Sequence, residues 1–146
     1  MNDRTPLELE RFLPYRLSIL SNRISQAIAR AYQERFDLSM TEWRVMAVLA
    51  RYDGDGISAG EIAGYTEMDK VAVSRALARL VAAKRVARRA HDSDKRRSVL
   101  RLTSAGWQIH DTVAPLAREH ERALLDQLDA HERNALVRIL DKLAPV

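Results

Sequence analysis

Between residues 58 and 103 the hydrophobic pattern changes its period, and that change limits the fold more than any other feature of the chain. Ser58-Ala59-Gly60-Glu61 has the spacing of a capping box, in which a hydroxyl and a carboxylate each satisfy a backbone N–H at a helix start. A short helix through EIAGYT follows, and Gly64 with the Thr66-Glu67 pair ends it. Asp69 then caps a second helix, KVAVSRALARLVAA. After it the pattern switches to alternation. RVARRAH and SVLRLT read as two short strands around DSDKRR, with Leu100 and Leu102 on one side and Val99 and Arg101 on the other. Two short helices joined by a turn of about three residues form a helix-turn-helix, and a hairpin directly behind it makes a winged helix. The predicted class is mainly α with a small β-hairpin.

The flanks are helical. Residues 14–36 read as one long helix, because Leu13, Leu17, Leu20, Ile24 and Ile28 step by three or four. Pro14 suits its first turn. Ser39 and Glu42 have capping-box spacing before WRVMAVLARY, which ends at the turn signal Asp53-Gly54-Asp55-Gly56. Thr103 caps a long helix from 104 to about 128, with Pro115 inside it expected to kink it because proline removes a helix hydrogen bond, and a last helix spans about 130 to 143. We read residues 1–146 as a single domain, with dimerisation helices at 1–36 and 104–146 around a winged-helix region at 39–103. The terminal segments are rich in leucine: Leu7, Leu9 and Leu13 at one end; Leu116, Leu124, Leu125, Leu128, Leu136, Leu140 and Leu143 at the other. One small winged helix cannot cover them all, so a second copy of the chain is expected, and a two-fold dimer implies a pseudo-palindromic DNA site.

Charge is unevenly placed. The net charge is only +4, yet residues 70–101 hold eleven lysines and arginines against two aspartates, a local excess of +9 in an otherwise acidic chain. Such self-repulsion calls for an anionic partner, and double-stranded DNA is the partner expected. On the helix at 69–83, Val73, Ala76, Leu77 and Leu80 form the inner face. Lys70, Val71, Ser74, Arg75, Ala78, Arg79 and Ala82 fall outside. Small residues let that face approach a groove closely, Arg75 and Arg79 can reach guanine edges or phosphates, and Val71 can pack on a thymine methyl. At the hairpin tip, Lys95, Arg96 and Arg97 suit a narrow minor groove. Asp94 either aims Arg96 through a charge-assisted bond or simply forms the turn.

The stretch DSDKRRSVLRLTSAG resembles the wing signature of the MarR family of bacterial transcription regulators, matched at Asp94, Arg96, Leu102, Thr103 and Gly106. The resemblance extends through VSRALARL and LSMTEWRVMAVLA and covers nearly the whole chain. It implies a homodimer built by the terminal helices, a recognition helix at 69–83 in the major groove, and Arg96 in the minor groove. The expected function is that of a ligand-responsive, sequence-specific, cytoplasmic transcriptional regulator that acts as a repressor. One departure stands out: the family often has glycine after the recognition helix, where this chain has Lys84. Lysine is less comfortable in a left-handed cap, so either the path into the wing differs or Lys84 contacts phosphate.

The resemblance also implies a small aromatic or anionic effector held between the dimer helices and the winged helix. Trp43 is the candidate wall or, in the plainer reading, a core-packing residue. Ser18, Ser21 and Ser25 form a polar strip beside Arg16 and Arg23. The segment from Tyr15 to Ala50 is similar to a branch tied to catabolism of phenolic acids, which makes an aromatic acyl-CoA thioester a further candidate.

Nothing in the sequence carries enzyme chemistry. His91, His110, His120 and His131 form no recognisable ligand pair, and Leu124 stands where a His120-Glu121 zinc motif would need its second histidine. Asp53-Gly54-Asp55-Gly56 lacks the later ligands of a calcium loop. With no cysteine, thiolate metal sites and disulfides are excluded. No metal or cofactor is expected. The start of the chain lacks the apolar segment of a signal peptide, and no apolar run approaches the ~18 residues that span a bilayer. The rival reading is a winged helix that binds proteins instead of DNA.

Overall fold

The computed structural model describes residues 4–90, 93 and 98–145. A single 3-10 turn, Leu9–Arg11, leads into α1 (Leu13–Ala29) and the short α2 (Gln33–Phe36). There follow α3 (Met40–Arg51), α4 (Ala59–Thr66), α5 (Lys70–Ala82), strands β1 (Val86–Ala90) and β2 (Ser98–Leu102), then α6 (Ser104–Leu125) and α7 (Ala130–Leu143). The strands form a two-stranded antiparallel sheet in the register Val86↔Leu102 to Ala90↔Ser98.

Capping explains most boundaries. Both predicted boxes form: Glu42 N–H donates to Ser39 Oγ at 3.1 Å while Ser39 N–H donates to the Glu42 carboxylate at 2.6 Å. The same reciprocal pair joins Ser58 and Glu61. A third, Asp129 with Glu132, opens α7 and was not anticipated. Asp69 accepts from Ala72 N–H, and Thr103 accepts from Gly106 N–H.

The expected helix 14–36 is broken. α1 stops at Ala29, and Ala31 and Tyr32 donate back three residues rather than four, to Ile28 and Ala29. This tighter turn drives the Tyr32 ring into the interior, where it meets Trp43 at 5.7 Å between ring centres. α2 then ends on Asp37 in the left-handed conformation. α6 ends three residues earlier than expected and runs through Pro115 without interruption.

The core lies in the middle of the chain. Val45, Met46, Leu49, Ile62, Val73, Leu77, Leu80, Leu100 and Val113 are buried in one cluster, joined by Ala29 and Tyr32 from the first segment. Leu100 also pairs with Ile57, so the loop before α4 adds one antiparallel bridge to the hairpin. The flanks contrast with this. α1 buries only Ala29, α6 buries residues only in its first half, and α7 buries none. Among the described residues no helix is long and apolar enough to cross a membrane.

Candidate nucleic-acid interface

α4 and α5 are joined at Glu67, Met68 and Asp69. Glu67 adopts a left-handed conformation, and Thr66 bridges the corner, its hydroxyl donating to Ile62 O at 2.8 Å and accepting from Met68 N–H. The corner sets α5 with Val73, Ala76, Leu77 and Leu80 inward, the predicted inner face. Lys70, Val71, Ser74, Arg75, Ala78, Arg79 and Ala82 are all exposed, the predicted outer face.

The chain leaves α5 through two bonds: Lys84 N–H to Val81 O at 3.0 Å and Arg85 N–H to Leu80 O at 2.9 Å. Together they make a Schellman closure, which needs a left-handed residue at its centre. Lys84 supplies it, with φ of 60°. The path into the hairpin is therefore the one a glycine would take, and of the two sequence expectations the altered path is corrected. The Lys84 side chain is exposed beside α5. Thr103 seals the far side, its hydroxyl donating to Lys84 O at 2.7 Å. Gly106 follows because a Cβ there would overlap the Arg85 carbonyl oxygen.

In β1 only Val86 is buried, and Arg88 and Arg89 stand exposed on the hairpin. The expectations on Asp94, Lys95, Arg96 and Arg97 lie outside the described residues. Ser74 and Arg88 meet across a concavity of about 380 Å³, which Ser58 and Gly60 at the start of α4 and Ser98 of β2 also line. Sequence reasoning counted Arg88 only as charge. Its strand register opposite Leu100, in contact with α4, was the signal that could have singled it out.

Arg79 carries a partner that sequence reasoning missed. Its Nε lies 3.5 Å from Oε1 of Glu42, whose side chain is only 5% exposed while that of Arg79 is 68% exposed. Glu42 is the only buried charged residue among those described.

The candidate effector residues do not gather in one place. Trp43 stacks with His110 at 5.9 Å and lies near Tyr32, and Trp107 meets the same histidine edge-on at 5.3 Å. Burial pushes the Tyr32 phenol up in pKa, and the Arg44 charge opposes this in part. Arg16 and Arg23 instead line an open groove of about 460 Å³ with Leu13, Tyr15, Leu17 and Leu20. Arg23 also borders a second groove, of about 290 Å³, shared with His120 and Leu124 of α6. Ser18 and Ser21 are exposed and line neither groove, and Ser25 accepts a bond from Arg44 at 3.0 Å. No group of three metal-ligating side chains occurs among the described residues.

Comparison with known proteins agrees with this geometry. The model of the MarR family matches residues 36–97. The HTH-type transcriptional repressor NicR of Pseudomonas putida is 24% identical over 141 residues, covering 97% of this chain and 87% of that protein. A MarR/EmrR family transcriptional regulator from Acinetobacter sp. ADP1 superposes with a TM-score of 0.82 at 29% identity, covering 94% of this chain and 95% of that one. The MepR–DNA complex of S. aureus shares the fold, with a TM-score of 0.82 at 23% identity over 90% of this chain and 96% of that one.

Proposed function

The chain belongs to the MarR family of transcription regulators, DNA-binding proteins and not enzymes, and from that premise we propose that it is a homodimeric, ligand-released repressor acting on a pseudo-palindromic operator. The observation that carries the reading is the outer face of α5. It is exposed along its length, small at Ser74, Ala78 and Ala82, and cationic at Lys70, Arg75 and Arg79. Such a face fits a major groove: the small residues allow close approach and the arginines reach base edges. Val71 is the apolar contact for a thymine methyl. Lys84, Arg88 and the tip residues Lys95, Arg96 and Arg97, with Asp94 aiming Arg96, extend the cationic surface toward the flanking backbone and minor groove. The concavity between Ser58, Ser74 and Arg88 is a place for a backbone phosphate, which the Arg88 guanidinium and the two hydroxyls can bind.

Residues 39–103 form the DNA-binding region in this reading, and 1–36 with 104–146 form the dimer. Its support is exposed apolar surface. Leu13, Leu17 and Leu20 on α1 and Val137, Ile139, Leu140 and Leu143 on α7 are each at least 45% exposed, apolar surface that a partner chain would cover. A two-fold dimer would place its recognition helices one duplex turn apart, about 34 Å. A protein of this kind works in the cytoplasm.

The effector is a small aromatic or anionic molecule, with an aromatic acyl-CoA thioester as the finer candidate. Arg16 and Arg23, on the open groove along α1, are the anion contacts, and Ser18 and Ser21 are polar contacts that a partner helix would bring into play; Trp43, packed with Tyr32 and His110 and lining neither groove, does not belong to the same site. The CoA phosphates would meet the same basic surface as DNA.

Fluorescence anisotropy on labelled DNA from the gene's own upstream region, against a scrambled fragment and across a salt series, tests the reading. Preference for the native fragment is expected, with log affinity falling by about 0.9 per decade of salt for each phosphate neutralised. No binding at low salt would instead favour a protein partner for the winged helix. The thioester should release DNA; release by the free aromatic acid with no effect of its thioester rules out the CoA candidate.

A further inference from the structure

We infer that Glu42, at the start of α3, is a positioning residue for DNA recognition: it holds Arg79 of α5 in the orientation in which the guanidinium meets DNA. The inference rests on the reading of α5 as the recognition helix.

Among the described residues three glutamates close capping boxes, and only one of them is buried. Glu61 and Glu132 are exposed, whereas Glu42 is 4% exposed. A capping box needs no burial, because the carboxylate only has to reach the N–H three residues back. Burying a carboxylate is costly unless it is bonded and its charge is matched. Both conditions are met here: Oε2 takes the Ser39 N–H at 2.6 Å, and Oε1 faces Arg79 Nε at 3.5 Å. The first contact ties the carboxylate to the rigid start of α3. The second extends from that fixed point to the recognition helix.

The geometry matters for Arg79 more than for Glu42. Arginine is a flat fork with one inward Nε and two outer nitrogens. With Nε turned toward Glu42 and the side chain 68% exposed, the outer nitrogens are left on the solvent side, on the face that carries Arg75 and Ser74. An arginine held in this way loses less rotamer freedom when it binds, and it meets one position on the duplex rather than many. A free arginine would still attract phosphate, because that attraction needs charge and not direction. The pair therefore serves discrimination more than affinity.

The test is a double-mutant cycle on the full chain with Glu42→Gln and Arg79→Lys, reading operator and scrambled-DNA affinity in parallel. Glutamine keeps the size of the side chain and an acceptor for Ser39 N–H but removes the counter-charge. Glu42→Gln should lower the operator-to-scrambled ratio about tenfold while leaving scrambled-DNA affinity unchanged or slightly raised. Arg79→Lys, on an exposed side chain, folds irrespective of Glu42 and should lower the ratio similarly; the double variant should be little worse than either single one. Thermal unfolding is followed on the same samples. The inference is overturned if Glu42→Gln weakens operator and scrambled DNA equally, if the two effects simply add, or if Glu42→Gln does not fold and Arg79→Lys leaves the ratio intact. Should Glu42→Gln fail to fold while Arg79→Lys lowers the ratio, Glu42→Asp decides: its shorter carboxylate cannot reach Arg79, so a normal ratio overturns the inference and a lowered one supports it. A native protein without operator preference would fail the function reading itself, a separate result visible before any variant is made.

Discussion

The winged-helix middle and the terminal helices of this protein use leucine in opposite ways. Leu49, Leu77, Leu80 and Leu100 are at most 1% exposed, enclosed by α3, α4, α5 and the hairpin of the same chain. On α7, Leu140 and Leu143 are 49% and 62% exposed, and the helix buries no residue. Both regions have well-formed caps and helical period, so local sequence does not separate them. What separates them is where the covering surface comes from. The middle is a core closed within one chain, completed by Ala29, Tyr32, Ile109 and Val113 of the flanking segments, while the ends present apolar faces that a second chain would complete. Stability of the first should not depend on protein concentration; stability of the second should.

The sharpest way to break that comparison is inside the core. Leu77→Ala should cost about 3 kcal/mol, since it removes a fully buried side chain and leaves a cavity. The cost should be the same at low and high protein concentration in denaturant titrations. A concentration-dependent loss would mean that the middle also leans on a partner. Gly106→Ala comes next, at about 2 kcal/mol, because one added methyl must displace the Arg85 backbone where α6 meets β1. Chemical unfolding measures it, and a neutral result would show that this junction is looser than the geometry implies.

The ends should respond differently. Leu140→Glu alters a side chain that is half exposed and lies outside the core cluster, so the monomer should fold as before. Self-association should weaken at least tenfold, about 1.4 kcal/mol, in sedimentation or light-scattering measurements. An unchanged association constant would remove α7 from the interface and leave the grooves along α1 and α6 as the contact.

How much of this was legible in the sequence follows from what each feature depends on. The caps at Ser39, Ser58, Asp69 and Thr103 and both faces of α5 rest on residues within four positions of one another, and all were read correctly. The features that were missed depend on packing between distant segments. The Ile28-to-Tyr32 spacing continues the helical period, yet the chain turns at residue 30 because the Tyr32 ring packs beside Trp43. Glu42 and Arg79 are 37 positions apart and meet only once α3 lies on α5. Arg88 faces Ser74 only after the hairpin folds back over α4. Of the two readings of Trp43, core packing is the one that holds: it packs with Tyr32 and His110, while Arg16 and Arg23 face another groove. The tip residues 94–97, expected at the minor groove, lie outside the described residues.

Lys84 joins the two kinds of feature, and its substitution is the smallest and most selective test. Its identity was visible as a departure from glycine; its conformation was not. A side chain at φ of 60° costs roughly 1 kcal/mol against glycine, because its Cβ crowds the neighbouring carbonyl. The Schellman bonds and Thr103 hold the backbone there regardless. Lys84→Gly should therefore stabilise the fold by up to about 1 kcal/mol, less the entropy that glycine gains when unfolded. If Lys84 also contacts phosphate, the same change should reduce the salt slope of DNA binding by about one unit. Lys84→Asn separates the two effects. Asparagine tolerates the left-handed region better than lysine but less well than glycine, and like glycine it carries no charge. Equal loss of salt slope with a smaller gain in stability would assign the lysine to phosphate binding, kept at a modest cost in backbone strain. Stabilisation without any change in slope would leave Lys84 a strained cap with no part in the interface.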